Sequence, residues 1–329
     1  MTEIKSDGSQ SQTVLLAGAT GYIGKYVCET LLSRGFHVLT LGRATSKAQD
    51  HHNLENISID ICSDKKMAEF AQTSRQIDAV ISCLGSRVGG RRDAWAVEFG
   101  ANQNILNLAR SMAAKNFVLL SAICVQKPKL EFQFAKIAFE NQLIASGMTY
   151  SIVRPTAYFK SLAGQIENLK AGKAFVMFGK GVSTACKPIS PQDLSDYICD
   201  CLANPERYDK VLPIGGPGPS ITPIEQGEML FRFLDKKPKF SRVPSAIFRI
   251  ISTMMAPLAL ISEKISDLRE FVNIGHYYAT ESMLFWDVTA QQYSSDKTPE
   301  YGRDSLEDFY HEVLKSGLEG HELGDHKLF

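Results

Sequence analysis

The sequence predicts an α/β protein, a doubly wound parallel sheet followed by a smaller carboxy-terminal lobe. Three observations carry that expectation. An apolar run, Val14 to Ala17, ends in Gly18-Ala-Thr-Gly21-Tyr-Ile-Gly24, after which Tyr26, Val27, Leu31 and Leu32 recur at helical spacing. A second apolar run, Phe36 to Arg43, follows that helix directly. Short apolar runs then alternate with helical patterns as far as Arg154, which is how strand–helix units of a parallel sheet read.

Strand, glycine turn and helix in that order make a dinucleotide site of the Rossmann type. Gly18 allows a sharp turn, Gly21 lets backbone approach a pyrophosphate, and Gly24 lets helix pack on strand. Free N–H groups at the helix start, around Thr20, Tyr22 and Ile23, then face the phosphates. The spacing is GxxGxxG, wider than GxGxxG. At the end of the second strand an acidic residue would accept both ribose hydroxyls. Arg43 stands there instead, with Lys47 nearby, so a 2′-phosphate is welcomed and NADPH is the expected cofactor.

In order, Ile57–Asp60 reads as a third strand, with Asp60 and Ile61 placed for the adenine ring, and 65–74 as a helix. Asp78–Gly85 is a fourth strand whose last residues, Cys83 and Leu84 among them, leave room for a cofactor. A basic, glycine-rich loop (85–92) precedes a long helix over 95–114. Asn116–Ser121 is the fifth strand, a helix carrying Phe132, Lys136 and Leu143 comes next, and Thr149–Arg154 is a sixth strand stopped by Pro155, itself a cofactor candidate. The nucleotide domain is therefore placed at 13–155, and 156–329 is assigned mostly to a substrate lobe, with 186–215 packing back on the sheet.

In that second half, Ser190 caps a helix opened by Pro191, Lys210–Ile214 is a strand, and Thr222 caps another helix with Gln226 close by. Pro244–Ser262 is apolar over 19 positions, close to a spanning length. Arg249 interrupts it and Pro257 should kink it, which argues against a span. A buried helix of the second lobe is the first expectation. A helix lying on a membrane surface, or covering a substrate slot, is the other.

Composition narrows the classes. Lys+Arg and Asp+Glu balance at 36 each, so no electrostatic footprint for nucleic acid exists. The seven cysteines are scattered, and no histidine pair stands near them at zinc spacing, so free thiols and no metal site are expected. The polar segment 1–12 reads as a disordered tail with neither a secretory nor a transit-peptide pattern, implying a cytoplasmic protein, or a plastid one whose leader has been removed.

The first half resembles the extended, atypical short-chain dehydrogenase/reductases, of the type that includes isoflavone reductases. Ser121 matches the serine after the fifth strand and Lys136 the lysine of Tyr-x-x-x-Lys, but the tyrosine position is Phe132. Phenylalanine cannot deliver a proton, which turns the expectation from carbonyl reduction towards a carbon–carbon double bond. Longer stretches sharpen the likeness: Ser82–Gly90, Leu119–Pro128, Met148–Ala157, Cys186–Ser190, Leu212–Gly218 and Lys297–Gly302. Together they are similar to the NADPH-dependent 8-vinyl reductases of chlorophyll and bacteriochlorophyll synthesis, over nearly the whole chain to Glu322–Asp325.

That resemblance implies a magnesium tetrapyrrole substrate, divinyl chlorophyllide or protochlorophyllide, with hydride at one vinyl carbon and a proton at the other. Negative charge spread over the macrocycle would make a tyrosine donor dispensable. Lys136 would hydrogen-bond the nicotinamide ribose and relay a proton through water or Ser121. A flat pigment needs a wide apolar slot, for which Phe132, Tyr158, Phe159, Phe175 and Phe178 are candidates. Arg87, Arg91 and Arg92 would meet a propionate or the cofactor phosphates, or simply face solvent. Two other readings stand beside this one: an isoflavone-reductase-like reductase of small molecules, and a non-enzymatic NADP(H)-binding regulator or assembly factor. Peripheral membrane contact is compatible with each, and the sequence does not fix the oligomeric state.

Overall fold

A computed structural model describes residues 12–43, 51–73, 75–86 and 89–317. The tail through residue 11, Lys47, Arg87 and the segment Glu322–Asp325 lie outside them. Strands β1 (Thr13–Ala17), β2 (His37–Gly42), β3 (Leu54–Ser58), β4 (Ala79–Ser82), β5 (Asn116–Leu120), β6 (Thr149–Pro155) and β8 (Lys210–Ile214) form one sheet in the order β3-β2-β1-β4-β5-β6-β8. Every pairing in it is parallel. The order of strand addition reverses between β1 and β4, and that switch point is where ligands of such sheets bind.

The central strands are apolar throughout because both faces are covered. Along β1, Val14 and Leu16 join a core with Ile23, Val27 and Leu31 of α1 (Tyr22–Ser33) and Leu194 and Ile198 of α7 (Pro191–Asp200). Leu15 and Ala17 join the opposite core, with Ile105 of α4 (Asn102–Ser111) and Phe139 of α5 (Glu131–Ala145). These four residues of β1 are fully buried. Each large aliphatic side chain so buried contributes about 1.5–3 kcal/mol.

Expected and observed elements differ at instructive places. The helix expected over 95–114 begins earlier, at α3 (Arg91–Ala94), and passes through a π-helical stretch, Trp95–Ala101, before α4. Thr222 caps α8 (Pro223–Phe233) as expected, but its reciprocal partner is Glu225, whose Oε2 accepts the Thr222 N–H at 2.8 Å. The apolar run forms α9 (Ala246–Ala259), paired with α10 (Glu263–Thr280), and it is not a buried helix: Ser252 is its one buried residue. Pro257 falls in the last turn of α9, where the helix is ending anyway.

A third core gathers Phe159, α6 (Ile166–Lys170), β7 (Phe175–Phe178), α8 and α11 (Leu306–Ser316). Strand β9 (Phe240–Val243) pairs with β7 in parallel, and β10 (Phe285–Asp287) with β11 (Gln292–Ser294) in antiparallel fashion. Glu281, between α10 and β10, ties these elements to the loop after β5. It accepts bonds from Lys127 (3.0 Å), Tyr293 (2.5 Å) and Lys129, while the Lys127 ammonium also sits 4.0 Å from the centre of the Trp286 ring. Burial works against the Glu281 carboxylate, but these bonds outweigh it and hold its pKa below the ordinary value. The stabilisation is therefore complete above the unfolded pKa and is lost as pH falls through the lowered folded one. Glu281→Gln is expected to cost about 1 kcal/mol, the low end because Lys129 is half exposed to screening solvent. Denaturant melts of the two proteins should differ at pH 7 and converge as the medium becomes more acidic.

Candidate active site

The loop between β1 and α1 is built so that no side chain can replace Gly18 or Gly24. Gly18 has φ +84°, and a Cβ there would lie 2.6 Å from the Cys83 carbonyl oxygen. A Cβ on Gly24 would come within 2.0 Å of the Gly18 oxygen, so helix and turn touch backbone to backbone. Gly21 stands at the cap of α1 and supplies no side-chain cap, which leaves the N–H groups of the first turn open at the positive end of the helix dipole. Tyr22, in that turn, carries a buried hydroxyl without a hydrogen-bond partner among the described residues. Thr20 is exposed and Ile23 is core. Backbone cradle, uncapped helix and orphaned hydroxyl fit a nucleotide phosphate.

Along the same carboxyl edge, Arg43 is exposed just past β2. Asp60 and Ile61 follow β3, where Asp60 accepts the Cys62 N–H (3.2 Å) and Ile61 is buried. Cys83 and Leu84 follow β4, both half-buried, and burial pushes the Cys83 thiol up to about 12, against a small opposing effect of Lys136. Pro155 closes β6 in the core.

Ser121 and Lys136 line one crevice with Glu98, Asn102 and Phe139. Lys136 Nζ lies 2.7 Å from Glu98 Oε2, with the two side chains 13% and 4% exposed. Glu98 belongs to the π-helical stretch, and its other oxygen accepts the Ser86 N–H at 2.9 Å. Asn102 holds that stretch in place: its amide donates to the carbonyls of Val97 and Glu98, and its oxygen accepts from Ser82 at 2.5 Å. A π insertion of this kind re-aims a helix face, and such insertions are frequent at functional sites.

The Ser121 hydroxyl does not point its proton at Lys136. It donates to Glu140 Oε1 at 2.5 Å, and Arg154 grips that carboxylate through Nε (3.1 Å) and its terminal nitrogen. With its proton engaged by Glu140, Ser121 offers its lone pairs to its neighbours as an acceptor.

The aromatic candidates separate. Tyr158, just past β6, packs with Cys83 and Tyr22 over one core, its ring centre 6.1 Å from that of Tyr22. Burial, and then the neighbouring Cys83, Cys124 and Glu98, hold its phenol above the ordinary tyrosine range. Phe132, half-buried, packs beside Tyr278 against a cluster containing Ile123, Leu130 and Tyr277. Phe159 and Phe175 are 2% exposed and are held in the third core, against Phe309 and Phe240. Phe178 packs against Phe248 of α9, the ring centres 4.9 Å apart and the rings tilted. The structure therefore gathers Ser121, Lys136, Cys83 and Tyr158 at the sheet edge and leaves Phe159 and Phe175 in a separate core.

Four contributors were not singled out from sequence: Glu98, Glu140, Arg154 and Tyr278. An acid on the inward face of an apolar helix was the available signal for Glu98. Tyr278 arrives from α10, whose Tyr277 hydroxyl donates to the Cys124 carbonyl at 2.8 Å. Among the described residues no cluster of His, Cys, Asp and Glu could hold a metal ion, and all seven cysteines are free.

Comparison with known proteins supplies the family and the fold. Residues 18–205 match the model of an NAD(P)H-binding family. The divinyl chlorophyllide a 8-vinyl-reductase of Cucumis sativus chloroplasts is 45% identical, over 100% of this chain and 82% of its own. The chloroplastic protein of the same name from Zea mays is 46% identical, over 96% and 83%. Among solved structures, the NADPH-dependent quinone oxidoreductase of Escherichia coli, complexed with NADPH, superposes with a TM-score of 0.66 at 17% identity, covering 92% of this chain and 99% of that one. At that identity the likeness is one of fold.

Proposed function

Since the chain belongs to the divinyl chlorophyllide a 8-vinyl-reductase family, we infer that it reduces the 8-vinyl group of divinyl chlorophyllide to ethyl, with NADPH as the source of hydride. It is an oxidoreductase of chlorophyll synthesis that binds a nicotinamide dinucleotide. The observation that carries the reading is the edge just described, where a phosphate cradle, a buried Lys136–Glu98 pair and the Tyr158 phenol converge.

The bound cofactor supplies hydride; the chain supplies everything that holds, shields and protonates. Gly18–Gly24 and the first turn of α1 would take the pyrophosphate, Tyr22 offering its free hydroxyl. Arg43 would take the 2′-phosphate, which favours NADPH over NADH. Lys136, held by Glu98, would bind the nicotinamide ribose. Addition of hydride to the outer vinyl carbon and a proton to the inner one balances the reaction, and the macrocycle carries the charge between the two events. Phe132 has no proton to give and serves as an apolar wall, whereas the Tyr158 phenol, packed with Tyr22 and Cys83 at the carboxyl edge, is the group we assign as donor. The plant relatives are chloroplastic, and a plastid or photosynthetic membrane setting suits the same substrate.

The test is an absorbance scan of the purified protein with NADPH and divinyl chlorophyllide. Loss of vinyl conjugation moves the Soret band to the blue. NADH should support that shift poorly, and Arg43→Asp should lower kcat/KM for NADPH by about 10–100-fold while sparing NADH. NADPH binding without any shift would sink the reductase assignment in favour of a binding or assembly role.

A further inference from the structure

Resting on the reading that NADPH binds along this edge, we propose that Glu140 and Arg154 are positioning residues that make Ser121 a one-way acceptor. Ser121 and Lys136 then recognise, as a pair, a hydroxyl of the cofactor's nicotinamide ribose. The covered face of α5 is unusual for a core. Phe139 and Leu143 pack on the sheet, yet Gln133, Lys136 and Glu140 stand on the same side at spacings of three and four. Gln133 is 0% and Glu140 1% exposed. The local chain explains Gln133: its oxygen accepts the Lys129 and Leu130 N–H groups, and its amide donates to the Cys124 carbonyl.

Stability does not explain Glu140. A carboxylate is costly to bury, and a buried ion pair is often no more stable than apolar side chains of the same volume. Here Arg154 holds both Glu140 oxygens, with Nε 3.1 Å from Oε1, and Oε1 also takes the Ser121 proton at 2.5 Å. A carboxylate paired with a guanidinium is acceptor-only, so the Ser121 hydroxyl can only donate to it. The Ser121 backbone is fixed as well, its N–H bonded to the Val153 carbonyl at 2.7 Å. What the pair specifies is therefore a direction. The Ser121 oxygen meets its other neighbours with lone pairs alone, and its bond to a carboxylate strengthens it as an acceptor.

Lys136 is the converse. An ammonium has three N–H groups and no lone pair, and Glu98 engages one of them at 2.7 Å. Both side chains line one crevice, a pure donor beside a pure acceptor. One hydroxyl satisfies both, taking a bond from Lys136 and giving its own proton to Ser121. A hydrogen in its place leaves both unanswered.

Fluorescence titrations of the full chain, without pigment, compare NADPH with an analogue whose nicotinamide ribose lacks its hydroxyls. Wild type should favour NADPH by at least about 10-fold. Ser121→Ala should weaken NADPH by about fivefold and leave the analogue unchanged, whereas Ser121→Thr, which keeps the hydroxyl, should keep the discrimination. Glu140→Gln should act like Ser121→Ala, because a glutamine amide can donate to Ser121 and turn its proton outward. A purely structural pair would not move that ratio. Equal weakening of NADPH and analogue in Ser121→Ala would overturn the proposal, as would a Glu140→Gln protein that melts earlier yet discriminates like the wild type. So would Ser121→Ala abolishing discrimination against a 3-acetylpyridine cofactor instead, since Ser121 would then hold the carboxamide. No pigment enters the measurement, so a lost ratio here is separate from a failure of vinyl reduction. NADPH that does not bind the wild type at all overturns the cofactor reading, and this proposal with it.

Discussion

Lys136→Met should lower kcat/KM by about 100–1,000-fold and destabilise the fold by about 3–5 kcal/mol, the largest combined effect of any single substitution at this edge. Methionine keeps the length and apolar stem of lysine but removes the ammonium 2.7 Å from Glu98. Glu98, 4% exposed, is then a buried carboxylate with only the Ser86 N–H to satisfy it. Most of the stability loss is that stranded charge, not the worth of the pair itself. The double variant Lys136→Met with Glu98→Gln should therefore regain most of the melting temperature while remaining inactive. A cycle of the two single variants and the double, read by denaturant melts and by turnover, separates the two contributions. Turnover returning together with stability would show that Lys136 is structural and binds no cofactor.

The contrast between what could and could not be read from the chain has a physical cause. Gly18, Gly24 and the alternating strands are local: their signal lies in periodicity and in a turn within seven residues. Six parallel strands of one sheet, β1 to β6, follow from that signal directly, the central ones buried on both faces. Glu98 meets Lys136 across 38 positions and Tyr277 meets Cys124 across 153, and no local period encodes such pairs. The π-helical stretch that aims Glu98 inward also looks like ordinary helix in sequence. For Pro244–Ser262 the composition suggested a core helix, because apolar residues are usually covered. The structure leaves that helix on the surface, and hydropathy alone cannot say which apolar helix lacks a protein neighbour. Ser121 was legible as a residue but not as a state, since only the Glu140–Arg154 grip shows where its proton goes.

Tyr158→Phe should reduce kcat by about 100–1,000-fold with little change in KM for NADPH, whereas Tyr278→Phe should cost less than about 10-fold. Both phenols are half-buried near Cys124 and both are held protonated. Tyr158 is preferred because it packs with Cys83 and Tyr22, at the carboxyl edge that carries the glycine cradle, while Tyr278 stands on α10 beside Phe132. Its raised pKa sets the sign of the pH dependence. The donor form persists at low and neutral pH and is lost only as pH rises through the elevated value, so no basic limb from this group should appear below pH 10. Phe132→Tyr should not rescue Tyr158→Phe, because the side chain at 132 packs into the Ile123–Tyr277 cluster and not beside Cys83. A solvent deuterium isotope effect on kcat, present in the wild type and altered in Tyr158→Phe, ties the loss to proton delivery. Full turnover in Tyr158→Phe, with the isotope effect intact, would move the proton to Tyr278 or to water held by Lys136.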